Sequence, residues 1–359
     1  MSAHEILIAV MAAFAALGAI DRILGNKLGL GKEFEEGILA MGSLALAMVG
    51  IIAFAPVLAS LLRPVVVPVY QFLGADPAMF AGTILACDMG GGALARELTA
   101  DPQAAALGGV ICGSMLGATI VFTIPVALGI LRPADRPFMA KGILAGVITI
   151  PVGILAGGLV AGFPVGMVLR NLIPTVLIAA LIALGLWKAE KAMIKGFGIF
   201  GKGVIAMITV GLGAAIVEAL TGFVVIPGME SVEVGFQTVG AIAIVLAGAF
   251  PLVHVVTRLL RKPLLKMGRL LGINDTAAAG LIASLANSIA TFGMVKDMDD
   301  RGKVVNVAFA VSAAFVFGDH LGFTAGFAPE MLPAMIVGKL TGGISAVAVA
   351  LWLTKKKRA

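Results

Sequence analysis

The chain has 359 residues, of which 60% are hydrophobic and 13% charged. That balance excludes a soluble globular domain, because too few polar residues remain to cover the surface. The formal charge of +6 does not point to nucleic acid. In so apolar a chain, Lys and Arg mark loops that face the cytoplasm.

The N-terminal MSAHE carries no Lys or Arg, so the first apolar run reads as a retained helix rather than a cleaved signal. Apolar segments occupy 5–24, 37–62, 78–98, 104–131, 142–163, 170–187, 203–222, 236–260, 276–296, 303–326 and 331–353. A helix of about 20 residues crosses a bilayer, and the polar connections are short. The expectation is an all-α polytopic membrane protein. Cys87 and Cys112 lie inside apolar runs with no CxxC pair, and both read as small buried hydrophobes.

An internal repeat organises the chain. Leu61-Leu62-Arg63 recurs as Leu259-Leu260-Arg261, Leu73-Gly74-x-Asp76 as Leu271-Gly272-x-Asn274, and Ala81-Gly82-x-Ile84 as Ala279-Gly280-x-Ile282, all in one register. Glu35, Gly37, Gly42 and Lys141 find Glu233, Gly235, Gly240 and Lys339 at the same spacing. A register held this far indicates duplication.

Basic residues orient the copies. Let 78–98 and 276–296 dip into the membrane and return, with the N-terminus outside. All of the 26 basic residues then face the cytoplasm except Arg63, Arg96 and Arg170 outside and Lys339 within a helix. Eleven full crossings would place strongly basic loops outside. The first copy then has an odd number of crossings up to the second, which enters upside down. The expected architecture is two inverted repeats with re-entrant hairpins, about nine crossing helices plus two hairpins. The boundaries are a first repeat at 1–164, a bridging helix and basic cytoplasmic loop at 165–202, a second repeat at 203–354, and a basic tail at 355–359. Trp187 and Trp352 fall at cytoplasmic helix ends.

The stretch ILACDMGGGALARE, at 84–97, supplies the first hairpin tip. Each arm of 78–98 has about ten residues, or roughly 15 Å of helix, which reaches the bilayer centre and stops. Gly90, Gly91 and Gly92 provide the reversal. Asp88 and Met89 sit at its tip, and Asn287 and Ser288 sit at the equivalent depth in the second hairpin. A carboxylate at the bilayer centre costs about 2.5–3.5 kcal/mol on insertion scales. A bound cation would offset that cost. A structural pair with Arg96 or Lys339 is the alternative, and the glycine-rich setting favours the ligand role.

Asp319 and His320 lie in VFGDHLGF. Successive helical residues point about 100° apart, so in a continuous helix the two cannot share a face. Asp319 is expected either to pair with Lys339 or to serve the site. His320 is a packing histidine or a proton-exchanging one. Asn287 and Ser288 are candidates both for capping their own half-helices and for binding solute. His254 reads as structural, and Glu33, Glu35 and Glu36 as solvated loop acids. No metal-ligand spacing, phosphate loop or nucleophile elbow is present, and no cofactor is implied.

The stretches FEEGILAMGSLALAMVG, MFAGTILACDMGG, GKVVNVAFAVSAAF, GDHLGF and IVGKL resemble the ethanolamine permease family of the bacterial ethanolamine-utilisation system. The likeness runs from Asp21 to the last helix, although the chain lacks the longer outer loop after Phe163 and the acidic tail of some members. The resemblance implies a transporter in the bacterial cytoplasmic membrane that takes up ethanolamine, with no nucleic-acid partner and a homo-oligomer left open. It leaves facilitator and proton- or sodium-coupled carrier as alternatives. On the residues, Asp88 and Asp319 would neutralise the ammonium, Asn287 or Ser288 would bind the hydroxyl, and Phe122 or Phe317 would add a cation–π contact. Two buried acids also suit an intramembrane aspartyl enzyme, but Asp88 aligns near Asn287 rather than Asp319, which weighs against it.

Overall fold

The computed structural model describes residues 2–355; the rest of the expected basic tail lies outside the described residues. Among the described residues every regular element is helical. Seven helices are long and apolar enough to cross a membrane.

Helix α1 (Ala3–Ile23) starts with a capping box, in which the Ser2 side chain accepts from the Glu5 backbone and Glu5 reaches back. Helix α2 (Leu30–Phe72) is far longer than the apolar run at 37–62, and α9 (Val232–Leu271) likewise outruns 236–260. The basic segment at 258–269, expected as a loop, is therefore helical. Nothing in either stretch stops a helix until Gly74 and Gly272, which share φ = +69°. There the amides of Ala75 and Ile273 bond back to the carbonyls of Tyr70 and Gly268, a glycine stop used twice.

Between them run two short helices, α3 (Ala78–Ile84) and α4 (Gly92–Leu98). A long helical segment, α5 (Pro102–Ile130), follows. Much of α5 is wound with wide π turns, over Ala106–Gly117 and Thr119–Thr123. Helices α6 (Arg136–Val147) and α7 (Ile150–Val160) are a single span interrupted near Thr149. Helix α8 (Val165–Thr221) contains both expected segments 170–187 and 203–222, and the expected basic loop at 188–202 is helical too. The chain still turns there. Ala189 leaves the helical region at φ −140°, ψ 45°, and the Met193 side chain packs against Gly185. In a straight helix those positions would be about 12 Å apart along the axis.

The second half repeats the pattern with α10 (Asp275–Ala286), α11 (Ser288–Met294), α12 (Asp300–Ala313), α13 (Asp319–Phe327) and α14 (Leu332–Leu353). The expected single segment 303–326 is thus broken in two, because Phe315 takes φ = +63° and Gly318 is non-helical.

Close glycine contacts relate the halves. Gly37 lies against the backbone of Ala247, and Gly235 against Val49. Adding the 198-residue register to one contact generates the other. Reciprocal contacts of this kind are what a two-fold relation produces, and early-to-late pairing means α2 and α9 run antiparallel. Gly50 meets the carbonyl of Ile208 in α8, and Gly248 meets that of Met11 in α1. Gly82 meets Gly108, and Gly280 meets Asn306. A side chain at Gly37, Gly50, Gly82 or Gly248 would push backbones apart, and one at Gly280 would displace the Asn306 and Met298 side chains.

Hydrogen bonds also join the ends of each broken segment. The Thr99 hydroxyl donates to Asp76 at 2.8 Å, and the Asn274 side-chain amide donates to the Asp297 carbonyl at 3.0 Å. Asp101 and Asp299, again in register, then cap the helices that follow. Polar loops gather in two groups. In one, Arg132 donates to the Lys296 carbonyl at 2.9 Å, and Gly272 abuts Arg301. In the other, the Asp76 amide donates to Asn171 at 2.7 Å, and Arg63 donates to the Glu97 carbonyl.

The first group is held by Asp135, 2% exposed, which takes Lys303 Nζ and Arg132 Nε, each at 2.9 Å. Burial opposes the Asp135 charge, but the hydrogen bonds from Lys303 and Arg132 outweigh it and hold this carboxyl below the usual carboxylate range. Its stabilising contribution is complete above the unfolded-state value and is lost as pH falls through the lower folded value. Asp135→Asn is expected to lower the thermal midpoint in detergent by a few degrees at about pH 7 and to remove this part of the acid sensitivity. Unfolding scans from about pH 7 to about pH 3 measure both. Coincident wild-type and variant midpoints throughout would show that the pair contributes nothing.

Candidate functional site

Three breaks in helical backbone converge on the site. After α3 the chain is extended at Leu85 and Ala86, then turns tightly through Cys87–Gly91. The Ala86 carbonyl accepts from both Met89 N, at 3.0 Å, and Gly91 N, at 2.8 Å. Gly90 takes φ = +96°, and Ile51 occupies the space where a side chain would go. That position requires glycine twice over, by dihedral and by contact. Gly92 lies under the rings of Phe323 and Phe327.

The second break falls at Asn287, whose side chain caps α11 by accepting from Ile289 N at 2.8 Å. Its carbonyls are satisfied by the third break: Phe315 N donates to Ser284 O at 3.0 Å, and Phe317 N to Leu285 O at 2.8 Å. Irregular backbone is tolerated in an apolar interior only when its polar groups find such partners.

A cavity of about 150 Å³ lies between the first tip and the third break, lined by Asp88, Met89, Phe122, Phe315, Asp319 and His320, with Ser43 on α2. Four of the expected site residues therefore meet: Asp88, Met89, Asp319 and His320. Asp319 and His320 share this cavity, contrary to the face argument, because they open a new helix instead of lying within one. Asp88 Oδ1 is 3.7 Å from His320 Nε2. Phe315 packs edge-on to Phe122 and beside His320, with ring centroids 5.3 Å apart in both pairs.

The second tip contributes less than expected. Asn287 lines a neighbouring, more open cavity of about 620 Å³, together with Glu33, Glu36, His254, Arg258, Phe317 and Asp319. Ser288 lines neither cavity; its hydroxyl is buried without a partner. Asn287's capping role is the one the hydrogen bonds show, because the break leaves an amide that its side chain can reach. Asp319 is common to both cavities and stands between them. Glu33 is not a free loop acid, since His254 Nδ1 lies 3.3 Å from it.

Neither expected basic partner of the acids is in place. Arg96 donates to the Phe327 carbonyl at 2.7 Å and stacks 3.5 Å above its ring. Lys339, 1% exposed, donates to the Ser114 carbonyl in the π-wound part of α5. Among the described residues no carboxylate lies within 4.0 Å of Lys339, so the expected pair with Asp319 is not formed. A main-chain carbonyl satisfies the ammonium instead.

Sequence reading missed Ser43 and Phe315, which carry no local signal, and set Cys87 aside as a hydrophobe although it adjoins Asp88. Lys339→Met is expected to reduce the yield of monodisperse protein, since it removes a buried donor. Adding Asp319→Asn should not restore it. Size-exclusion profiles of the single and double variants check this, and rescue by the double variant would reinstate the Lys339–Asp319 pair.

Residues 3–353 match the family described as "Ethanolamine utilisation protein, EutH". The chain is 61% identical to the "Probable ethanolamine permease EutH" of Listeria monocytogenes, over 99% of this chain and 95% of that protein. It is 50% identical to the protein of the same name in Salmonella typhimurium, over 99% and 97%. The Escherichia coli protein of that name is 49% identical over 100% and 97%. No solved structure matches the chain. With the family matched from the first helix to the last, the chain belongs to the EutH family of ethanolamine utilisation proteins.

Proposed function

We propose that this chain carries ethanolamine, as its ammonium form, across the bacterial cytoplasmic membrane, and that the ammonium is held at Asp88 with Asp319 beside it. One observation carries the reading: a small cavity, walled by two carboxylates and two aromatic rings, at the meeting point of two helix breaks. A primary ammonium brings one charge and three N–H donors to such a wall. A ring face of Phe122 or Phe315 is the cation–π partner in this reading. Ser43, rather than Asn287 or Ser288, is the hydroxyl partner within the cavity. The permease names of the relatives support carriage over the aspartyl-enzyme alternative, although that chemistry also needs two acids in one cavity.

The reading includes two inverted repeats with re-entrant hairpins at 78–98 and 276–296, divided at 165–202. The antiparallel, reciprocal contacts between α2 and α9 support inversion, and the hydrogen bonds closing each broken segment support re-entry. Counting the kinked α8 as two crossings and α12–α13 as one gives nine. The grouping of Arg132, Lys296, Arg301 and Lys303 favours a cytoplasmic face there, with the N-terminus outside. The larger cavity holding Glu33, His254 and Arg258 then opens toward the cytoplasm.

Asp88→Asn should nearly abolish ethanolamine uptake into proteoliposomes while leaving the protein folded, because the variant keeps the shape and removes the charge. Wild-type apparent affinity in a well-folded variant would sink the assignment. An alkyl-ammonium group stays protonated up to a pKa near 10, and the neutral amine leaks through lipid unaided. Protein-dependent uptake over leak should therefore grow as external pH falls from about 8 to about 6. An uptake component that follows the neutral amine instead would mean that Asp88 is structural.

Orientation is checked by single cysteines at Asp76 and Lys266 in a cysteine-free background. An impermeant reagent should label position 76 from outside the cell and position 266 only from the cytoplasmic side, and the reverse pattern would overturn the orientation.

A further inference from the structure

The first tip also groups atoms that suit a metal ion. Cys87 Sγ, an Asp88 carboxylate oxygen and His320 Nε2 all lie within 4.8 Å of one another. The Asp88 Oδ1 atom is 4.0 Å from the sulfur and 3.7 Å from the imidazole nitrogen. Metal–ligand bonds of about 2.0–2.3 Å in tetrahedral geometry require ligand atoms roughly 3.3–3.8 Å apart. The three atoms therefore stand within about 1 Å of coordinating separation.

Hydrogen bonding holds this grouping only loosely. The sulfur–oxygen contact is long, and His320 Nδ1 is buried without a partner. Cys87 is 1% and His320 3% exposed. Each is fixed by a backbone break, the 87–91 turn and the start of α13. Asp88 and His320 also line the 150 Å³ cavity, which gives room for water at a fourth position, while Cys87 lies behind them, outside its lining. Sulfur, imidazole and carboxylate together select a borderline or soft divalent ion and disfavour Mg²⁺, Ca²⁺ and the alkali cations.

We propose that Cys87, Asp88 and His320 bind Zn²⁺ or Cd²⁺ at a position overlapping that of the ammonium, so that metal and amine exclude one another. On binding, the Cys87 thiol gives its proton to water and the thiolate, carboxylate and neutral imidazole take three corners. The coordination stands on geometry alone, whereas the mutual exclusion rests on the amine reading of the cavity.

The test uses purified full-length protein and Cd²⁺, read by the ultraviolet thiolate-to-cadmium charge-transfer band. Wild type and Cys112→Ser are expected to show the band, saturating at one ion per chain. Cys87→Ser should lose it, and His320→Gln should weaken binding at least about a hundredfold, more than the loss of an outer-shell partner costs. Ethanolamine added at neutral pH, where it is protonated and does not itself ligate the metal, should displace the ion, and Cd²⁺ should block uptake. A band that survives Cys87→Ser, or no band at all, overturns the metal site. If uptake still requires Asp88 in that case, the transport reading stands without it. A Cys87-dependent band untouched by ethanolamine overturns the exclusion and counts against the amine position, while leaving the coordination in place.

Discussion

The close antiparallel packing of α2 and α9 is the contact on which the rest of the structure depends. Gly37 and Gly235 let two long helices, neither broken by a non-helical residue, approach closely at symmetric points. Between apolar helices in lipid, close van der Waals approach through small residues supplies much of the association energy. From this pair the molecule extends outward reciprocally. Helix α1 packs on α9 and the second half of α8 on α2, through Gly248 and Gly50.

That arrangement creates room for broken helices. A helix that stops inside an apolar interior leaves main-chain donors and acceptors exposed, and each unsatisfied group is costly there. The breaks answer one another. The chain after α12 donates to carbonyls before Asn287, and the Ala86 carbonyl collects two amides of its own turn. A carboxylate at such a break has a different standing from one on a continuous helix. It projects from backbone already committed to irregularity, beside a cavity instead of lipid. On the proposed reading this is why the acids sit at breaks: a helix interior would give the cation no approach.

The two cavities sharing Asp319 suggest a division of labour within that reading. The larger one, ringed by Glu33, Glu36 and Arg258, is more open and mixed in charge; the smaller one is less open and acidic. On the far side of Gly92, Phe323 and Phe327 stack with centroids 4.8 Å apart, and Arg96 covers Phe327. A solute at Asp88 thus meets an open vestibule in one direction and packed rings in the other. Lys339 belongs to the scaffold of this region, fastening α14 to a carbonyl of α5.

Much of this was legible in the amino-acid order. The excess of apolar residues determined the membrane class, because no soluble surface could cover them. The repeat register came from paired matches such as Leu73-Gly74 and Leu271-Gly272, and the shared φ of those glycines shows that the register reflects backbone geometry. A left-handed residue in the Gly90–Gly92 run was legible because only glycine adopts that dihedral cheaply. Helix extent was not: α2 and α9 run past their apolar stretches, since a helix ends where a stop occurs, not where hydropathy falls. The break before Asp319 was hidden, because Phe315 carries no turn signal and adopts positive φ only under the hold of Ser284 and Leu285. The partner of Lys339 was equally hidden, because any buried carbonyl can take an ammonium and sequence does not say which is near. Composition and register determined the membrane class and the repeat. Tertiary structure alone decided which polar groups share a cavity, because residues as distant in sequence as Asp88 and His320 meet only when separate interrupted helices pack together.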